Sequence, residues 1–81
     1  MVTPESIRSS VESGLPCAHV EVTGDGQHFA AIIVSAAFAG LSRVKQHQLV
    51  YSVLGDRMRE EIHALSMQTL TPEQWADRGR G

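Results

Sequence analysis

The sequence contains little cysteine, few aromatic residues, no large excess of charge and no long apolar run. Its single cysteine, Cys17, cannot form an internal disulfide, which favours a reducing compartment. The longest nearly apolar stretch, residues 29–41, is too short to span a bilayer. The first five residues lack the basic start and apolar run of a secretory signal. We therefore expect a cytoplasmic protein that does not associate with membranes.

The charge and the missing motifs narrow the function. A formal net charge of −2 argues against general nucleic-acid binding, which depends on neutralising many phosphates, although it allows a local basic patch. The sequence has no Gly-rich phosphate loop, no nucleophile elbow and no His-Glu-x-x-His motif. It therefore predicts a binding protein and not an enzyme.

What the sequence does contain is the pattern of one α+β domain over residues 1–81. Hydrophobic residues at 42% suit a folded chain, and apolar residues at four-residue steps predict a first helix capped by Thr3. The order α-β-β-α-(α)-β-α predicts a three-stranded mixed sheet with the helices packed on one face. That first helical stripe consists of Ile7, Val11 and Leu15.

The later elements follow from similar signals. Residues 19–23 alternate polar and apolar, and residues 29–34 form a run typical of a strand covered on both faces, so the two predict a hairpin. Residues 57–61 suit a short charged helix, and residues 62–70 suit a third strand. Thr71, Pro72 and Trp75 predict a last helix folded onto the body, and residues 77–81 a frayed tail. Ser42 predicts a longer helix with the stripe Val44, His47, Tyr51, Leu54 and Met58.

The histidines and the lone cysteine are the candidate ligands for zinc or an iron–sulfur centre. His63 lies at the junction of the predicted charged helix and the third strand, and His28 lies at the end of the turn that opens the second strand. Their rings could therefore share one end of the sheet. Two ligands cannot enclose a structural zinc, so a partner would have to complete such a site. The structural alternatives stay open: backbone hydrogen bonds for His63, a turn role for His28, a half-buried role for His47, solvation for His19 and burial for Cys17.

Two basic residues near the start of the long helix, Arg43 and Lys45, are candidates for contacting phosphate. A solvated helix face is the commoner meaning of such charges. The two interpretations remain alternatives at this point.

Three separated segments resemble the BolA family in the order that the family has them. They are residues 38–51 (FAGLSRVKQHQLVY), 62–65 (IHAL) and 70–75 (LTPEQW), and residues 24–29 (GDGQHF) are similar to the hairpin of short bacterial members. The similarity covers nearly the whole chain. One departure is Gln46, where many members carry a basic residue.

The resemblance implies a fold similar to type II KH domains and partnership with monothiol glutaredoxins. In such complexes a [2Fe–2S] cluster is shared, with the glutaredoxin cysteine and glutathione on one side and BolA-type residues on the other. The family's C-terminal histidine matches His63, and His28 is the closest match to its second ligand, with Cys17 ranked lower. The isolated chain is then expected to hold no cofactor and to be a monomer or a weak homodimer.

The resemblance also implies a second function, that of a DNA-binding regulator of stress response or morphology. Arg43 and Lys45 would then contact phosphates. The glycine loop of KH domains is replaced here by residues 40–43 (GLSR), so this inference rests on fold-level analogy.

Overall fold

The computed structural model describes residues 3–25, 27–55 and 65–80, which form three α-helices and a three-stranded sheet. The α+β class and the order of the described elements agree with the sequence prediction. The predicted charged helix over residues 57–61 and the start of the predicted third strand lie outside the described residues. In chain order the elements are α1 (Pro4–Gly14), β1 (Cys17–Gly24), β2 (Phe29–Ser35), a 3-10 helix (Ala36–Phe38), α2 (Arg43–Leu54), β3 (Leu65–Leu70) and α3 (Pro72–Arg80).

Two of the helices begin at the threonines that the sequence predicts as caps, and each of these threonines forms a reciprocal capping box. The Thr3 hydroxyl accepts the Ser6 N–H at 3.1 Å, while the Ser6 hydroxyl accepts the Thr3 N–H at 3.0 Å. The Thr71 hydroxyl accepts the Gln74 N–H at 3.2 Å, and the Gln74 side-chain oxygen accepts the Thr71 N–H at 2.9 Å. Each box satisfies N–H groups that the first turn of a helix leaves unpaired. None of the described helices is long and apolar enough to cross a membrane.

The strand order is β1-β2-β3, with β1 antiparallel to β2 and β2 parallel to β3. The predicted hairpin is confirmed, and the central strand β2 is buried over most of its length. Gly24 pairs with Phe29 at the turn, and Phe29 also pairs with Leu65, the first residue of β3. At the far end of β1, Cys17 pairs with Ser35.

Helices α1 and α2 cover one face of the sheet, and α3 contacts the other. Neighbouring strand residues point to opposite faces: Val20 lies in the core, whereas the His19 ring stacks on Trp75 of α3. Val34 pairs with His19 and is fully buried, although it does not belong to the core cluster named below. The prediction that all helices pack on one face is therefore wrong for α3. The core consists of Ile7, Val11, Leu15, Val20, Phe29, Ala31, Ile33, Phe38, Val50, Leu54 and Leu65.

The buried side of α2 differs from the predicted stripe. Val44 is 65% exposed and Tyr51 is only half-buried, whereas Leu54 is buried as predicted. Met58 lies outside the described residues. The helix buries Val50 and Leu54 together with Gln46. The hydrogen bonds of the Gln46 amide explain why this side of the helix, and not the whole predicted stripe, faces the interior. The amide nitrogen donates to the carbonyls of Phe38 and Leu41, each at 3.1 Å, and the amide oxygen accepts the Thr69 hydroxyl at 2.6 Å.

Helix α3 continues to Arg80, so the predicted frayed tail is helical as far as that residue. Arg78 explains part of this extension, because its Nη1 donates to the Gln68 side-chain oxygen at 2.8 Å. Its guanidinium also lies 5.7 Å from the centre of the Trp75 ring. The bond to Gln68 joins the second half of α3 to β3.

Candidate functional site

The turn between β1 and β2 is held by one carboxylate. Asp25 accepts the backbone N–H groups of Gln27 and His28, each at 2.9 Å, and its own N–H donates to the His28 carbonyl at 3.2 Å. The hydrogen bonds from His28 and then Gln27 lower the pKa of the Asp25 carboxyl, because they stabilise its charged form. The turn therefore fixes the backbone of His28 while its side chain stays exposed.

In the same turn, the Gly24 backbone lies close to the Phe29 ring. A Cβ atom added to Gly24 would lie 2.6 Å from the Phe29 ring and 2.9 Å from the His28 carbonyl oxygen. Such contacts are too short for a real side chain, so the pairing of Gly24 with Phe29 requires glycine. We call this region, with Leu65 beside Phe29, the turn end of the sheet.

Cys17 lies at the opposite end of the sheet from His28. It pairs with Ser35, the last residue of β2, whereas His28 directly precedes the first residue of that strand. Six residue steps along β2 correspond to about 20 Å. Residues Cys17, Ser35 and Leu70 mark what we call the cysteine end. The structure therefore does not bring the two candidate second ligands together.

The surroundings of Cys17 also disfavour its thiolate. The side chain is half-buried against the core. Burial raises the pKa of the Cys17 thiol, and the nearby Glu12 carboxylate raises it further. Since the thiolate is the form that binds metals, a raised pKa lowers the fraction available at neutral pH.

The first predicted ligand, His63, lies outside the described residues. Within the described ranges, no three His, Cys, Asp or Glu side chains are grouped closely enough to hold a metal ion. His28 is thus the only predicted histidine ligand that the described segments present, and its imidazole is a suitable donor for an iron–sulfur centre. The described residues therefore supply one candidate ligand and do not enclose a metal site.

The other two histidines have different surroundings. His19 was predicted to be solvated, but its ring stacks on Trp75 with centres 4.7 Å apart, and its Nε2 lies 2.9 Å from the Glu21 carboxylate. That prediction is wrong, because it did not include the position of α3. His47 is half-buried, as predicted, and lines a groove beside β3.

The two basic residues predicted to meet phosphate are both exposed in the first turn of α2. The Ser42 hydroxyl caps this turn by accepting the Lys45 N–H at 3.2 Å. Arg43 lines the same groove as His47, together with Arg78 of α3. Gln46 is buried, so this departure from the family pattern changes the interior and adds no charge to the surface.

Two features of these sites were missed in the sequence. The Asp25 carboxylate holds the turn, and the signal for it was the Asp-Gly pair, which commonly forms such side-chain turns. Arg78 was assigned to a frayed tail, and no local pattern indicated that it would reach Gln68 on β3.

Comparison with known proteins identifies the family. The family model described as BolA-like protein matches residues 2–74. Acid stress protein IbaG of Escherichia coli K12 is 42% identical over 71 residues, covering 86% of this chain and 84% of the relative. The DNA-binding transcriptional regulator BolA of Haemophilus influenzae is 39% identical over 57 residues, covering 70% of this chain and 55% of the relative.

A solved structure agrees with this result. The bolA protein homologue from Coxiella burnetii has a TM-score of 0.76 and 39% identity, and the alignment covers 94% of this chain and 99% of the other. Sequence and fold therefore lead to the same family over most of the chain. The chain belongs to the BolA-like protein family.

Proposed function

We propose that this chain is an adaptor that binds a monothiol glutaredoxin and contributes His63 and His28 to a [2Fe–2S] cluster shared between the two proteins. The glutaredoxin cysteine and glutathione hold the other side of the cluster. The complex serves iron–sulfur trafficking or iron sensing. The chain alone supplies two imidazoles, so the partner is needed to complete the ligand set.

The parallel register of β2 and β3 is the observation that carries this proposal. Phe29 pairs with Leu65, His28 directly precedes Phe29, and His63 precedes Leu65 by two residues. Both strands therefore begin at the turn end. This shared start supports the proposal that the two histidines, which stand just before these strands in the sequence, serve one site. Cys17 starts its strand about 20 Å away, at the cysteine end.

The chemistry of the donors supports the same assignment. A neutral imidazole nitrogen is the ligand, so protonation of either histidine removes a donor and acid weakens the complex. When bound, the cluster supplies electron transfer, and imidazole in place of thiolate raises its reduction potential. The chain's own contribution is to hold the His28 backbone in the Asp25 turn.

The test is anaerobic co-purification with a cluster-loaded monothiol glutaredoxin, followed by an absorption spectrum and an iron count. The wild-type chain changes the visible spectrum of the glutaredoxin cluster, and His63→Ala abolishes that change. His19→Gln is the matched control, because it alters a histidine on the face under α3 and leaves the spectrum as in the wild type.

Two results would contradict the proposal in different ways. An unchanged spectrum with His63→Ala removes this residue from the ligand set. Failure of the wild-type chain to bind either apo or cluster-loaded glutaredoxin, measured by calorimetry, removes the partner itself.

A second candidate function is DNA binding. The relative from Haemophilus influenzae is named a DNA-binding transcriptional regulator, and Arg43 and Lys45 are exposed at the start of α2. Affinity for a duplex would then fall steeply as salt rises, because phosphate contacts release counterions. Fluorescence anisotropy with a labelled duplex measures this slope, and an affinity that does not depend on salt contradicts the candidate.

A further inference from the structure

A groove of about 560 Å³ runs along β3 at the edge of the sheet. Four successive residues of that strand line it, from Met67 to Leu70. Side chains of successive strand residues alternate between faces, so a cavity that touches all four lies along the edge of the strand. Among the described strands, β3 pairs with β2 alone. Its outer backbone groups therefore face the groove, which is the arrangement that accepts an added strand.

Basic side chains stand on both sides of this edge groove. Arg43 and His47 of α2 line it on the core face, where Thr69 bonds to α2. Arg78 of α3 lines it on the opposite face, held by its bond to Gln68. Among the residues that the structure describes, the lining contains no carboxylate, although the chain as a whole carries a net charge of −2.

The two arginines are also free of acidic partners within the described segments. The ion pairs found there are Arg8 with Glu12 and His19 with Glu21. The charge of Arg43 is thus uncompensated by any described carboxylate, and Arg78 contacts a neutral amide and an aromatic ring. An acidic group entering the groove would meet both charges without displacing an existing ion pair.

We propose that the edge groove binds an extended acidic segment of a partner protein, which pairs with β3 as a fourth strand. Main-chain hydrogen bonds to the strand edge would supply affinity, and the cations would supply selectivity. Alternate side chains of the added strand point to opposite faces. Two adjacent acidic residues would therefore reach Arg43 on one face and Arg78 on the other.

The charge pattern favours this occupant over two others. A second copy of the chain would offer its own β3, residues 65–70, which contains no acidic residue. A nucleic acid needs many cations along its backbone, whereas the described lining of this groove has two arginines and one histidine, in a chain of net negative charge. The proposal goes beyond the cluster site, and its test needs neither iron nor glutaredoxin.

The experiment titrates the full chain with a blocked ten-residue peptide of alternating threonine and valine that carries two adjacent glutamates at its centre. The control peptide has glutamines in place of the glutamates. Calorimetry gives the affinity, and amide chemical shifts locate the binding. We expect the acidic peptide to bind more tightly than the control and to move the amide signals of β3 more than those of β1.

Variants test the charge contacts. Arg43→Gln and Arg78→Gln should each weaken binding of the acidic peptide by about twofold to fivefold, the usual range for an exposed charge pair. Arg8→Gln is the matched control, because Arg8 is an exposed arginine on α1 that pairs with Glu12, and it should leave binding unchanged. Arg78→Gln also removes a contact to Trp75. If the Arg78→Gln variant unfolds, the affinity of Arg43→Gln decides the result.

Several outcomes would overturn the proposal. These are equal binding of the two peptides, shifts confined to residues away from β3, or an unaltered affinity in Arg43→Gln. Tighter binding of a single-stranded oligonucleotide that moves the same β3 signals would assign the groove to nucleic acid. A dimer in sedimentation experiments that moves the same β3 signals would assign it to a second copy.

Discussion

The two ends of the sheet use the same strands for different purposes. At the cysteine end, the fully buried Ser35 hydroxyl donates to the Pro16 carbonyl at 2.7 Å and accepts the Ala37 N–H at 3.1 Å. At the turn end, an exposed carboxylate holds an exposed histidine through local backbone bonds. Burial makes the first end structural, whereas exposure makes the second available to a partner. Removing a polar group should therefore destabilise the fold at one end and impair binding at the other.

The largest effect on folding is expected from Ser35→Ala at the cysteine end. The change removes two part-buried hydrogen bonds. At about 1 kcal/mol for each bond, it should cost about 2 kcal/mol of unfolding free energy. Urea unfolding followed by Trp75 fluorescence measures this loss. Ser66→Ala, at an exposed serine of β3, is the control and should stay within about 0.5 kcal/mol of the wild type. Equal midpoints for the two variants would contradict the structural role of this end.

A smaller effect on folding is expected from Asp25→Ala at the turn end. Asp25 is fully exposed, so the variant should unfold at nearly the wild-type urea concentration. Its effect should appear in binding, because the His28 backbone loses the carboxylate that orients it. The expected result is a weaker complex with cluster-loaded glutaredoxin, measured by calorimetry. A marked loss of stability with unchanged binding would show that the turn end is structural, which contradicts the comparison of the two ends.

The same carboxylate makes the turn sensitive to acid. The pKa of Asp25 is lower in the folded chain than in the unfolded one. Its contribution to stability is therefore present above the unfolded value, near pH 4, and is lost as pH falls through the folded value. The backbone amide signals of Gln27 and His28 should move over that acidic range in the wild type and not in Asp25→Ala. Identical titrations in the two chains would show that the carboxylate does not hold the turn.

Much of the fold could be predicted because local signals agreed with the tertiary structure. The steps from Ile7 to Val11 to Leu15 mark the side of α1 that is buried. The threonine caps mark where two helices begin. The predicted stripe on α2 was wrong in part because the buried Gln46 side chain makes three hydrogen bonds to residues outside the helix. A hydrophobic pattern assigns such an amide to the surface.

The second face of the sheet was harder to predict. A β-bulge between Cys17 and His19 directs these side chains to opposite faces, although their spacing in a regular strand would put both on one. The contact of His19 with Trp75 joins residues far apart in the sequence. Neither the bulge nor the face on which α3 docks has a local signature, so the sequence predicted a solvated His19 and a frayed tail.

For the site, the sequence identified candidate ligands but could not decide which share one end of the sheet. Cys17 stands before and His28 after the strand predicted at residues 19–23, and either is a candidate second ligand. The register separates them, because β3 begins beside Phe29 and ends beside Val34. That distinction depends on strand pairing, which composition and spacing leave undetermined.

The most direct test of the account compares His28→Ala with Cys17→Ala in the complex with a cluster-loaded monothiol glutaredoxin. Visible circular dichroism measures the cluster environment, and an iron count measures occupancy. The account predicts an altered spectrum and faster cluster loss for His28→Ala, with a wild-type spectrum for Cys17→Ala. The reverse pattern, a wild-type spectrum for His28→Ala and an altered one for Cys17→Ala, would contradict it.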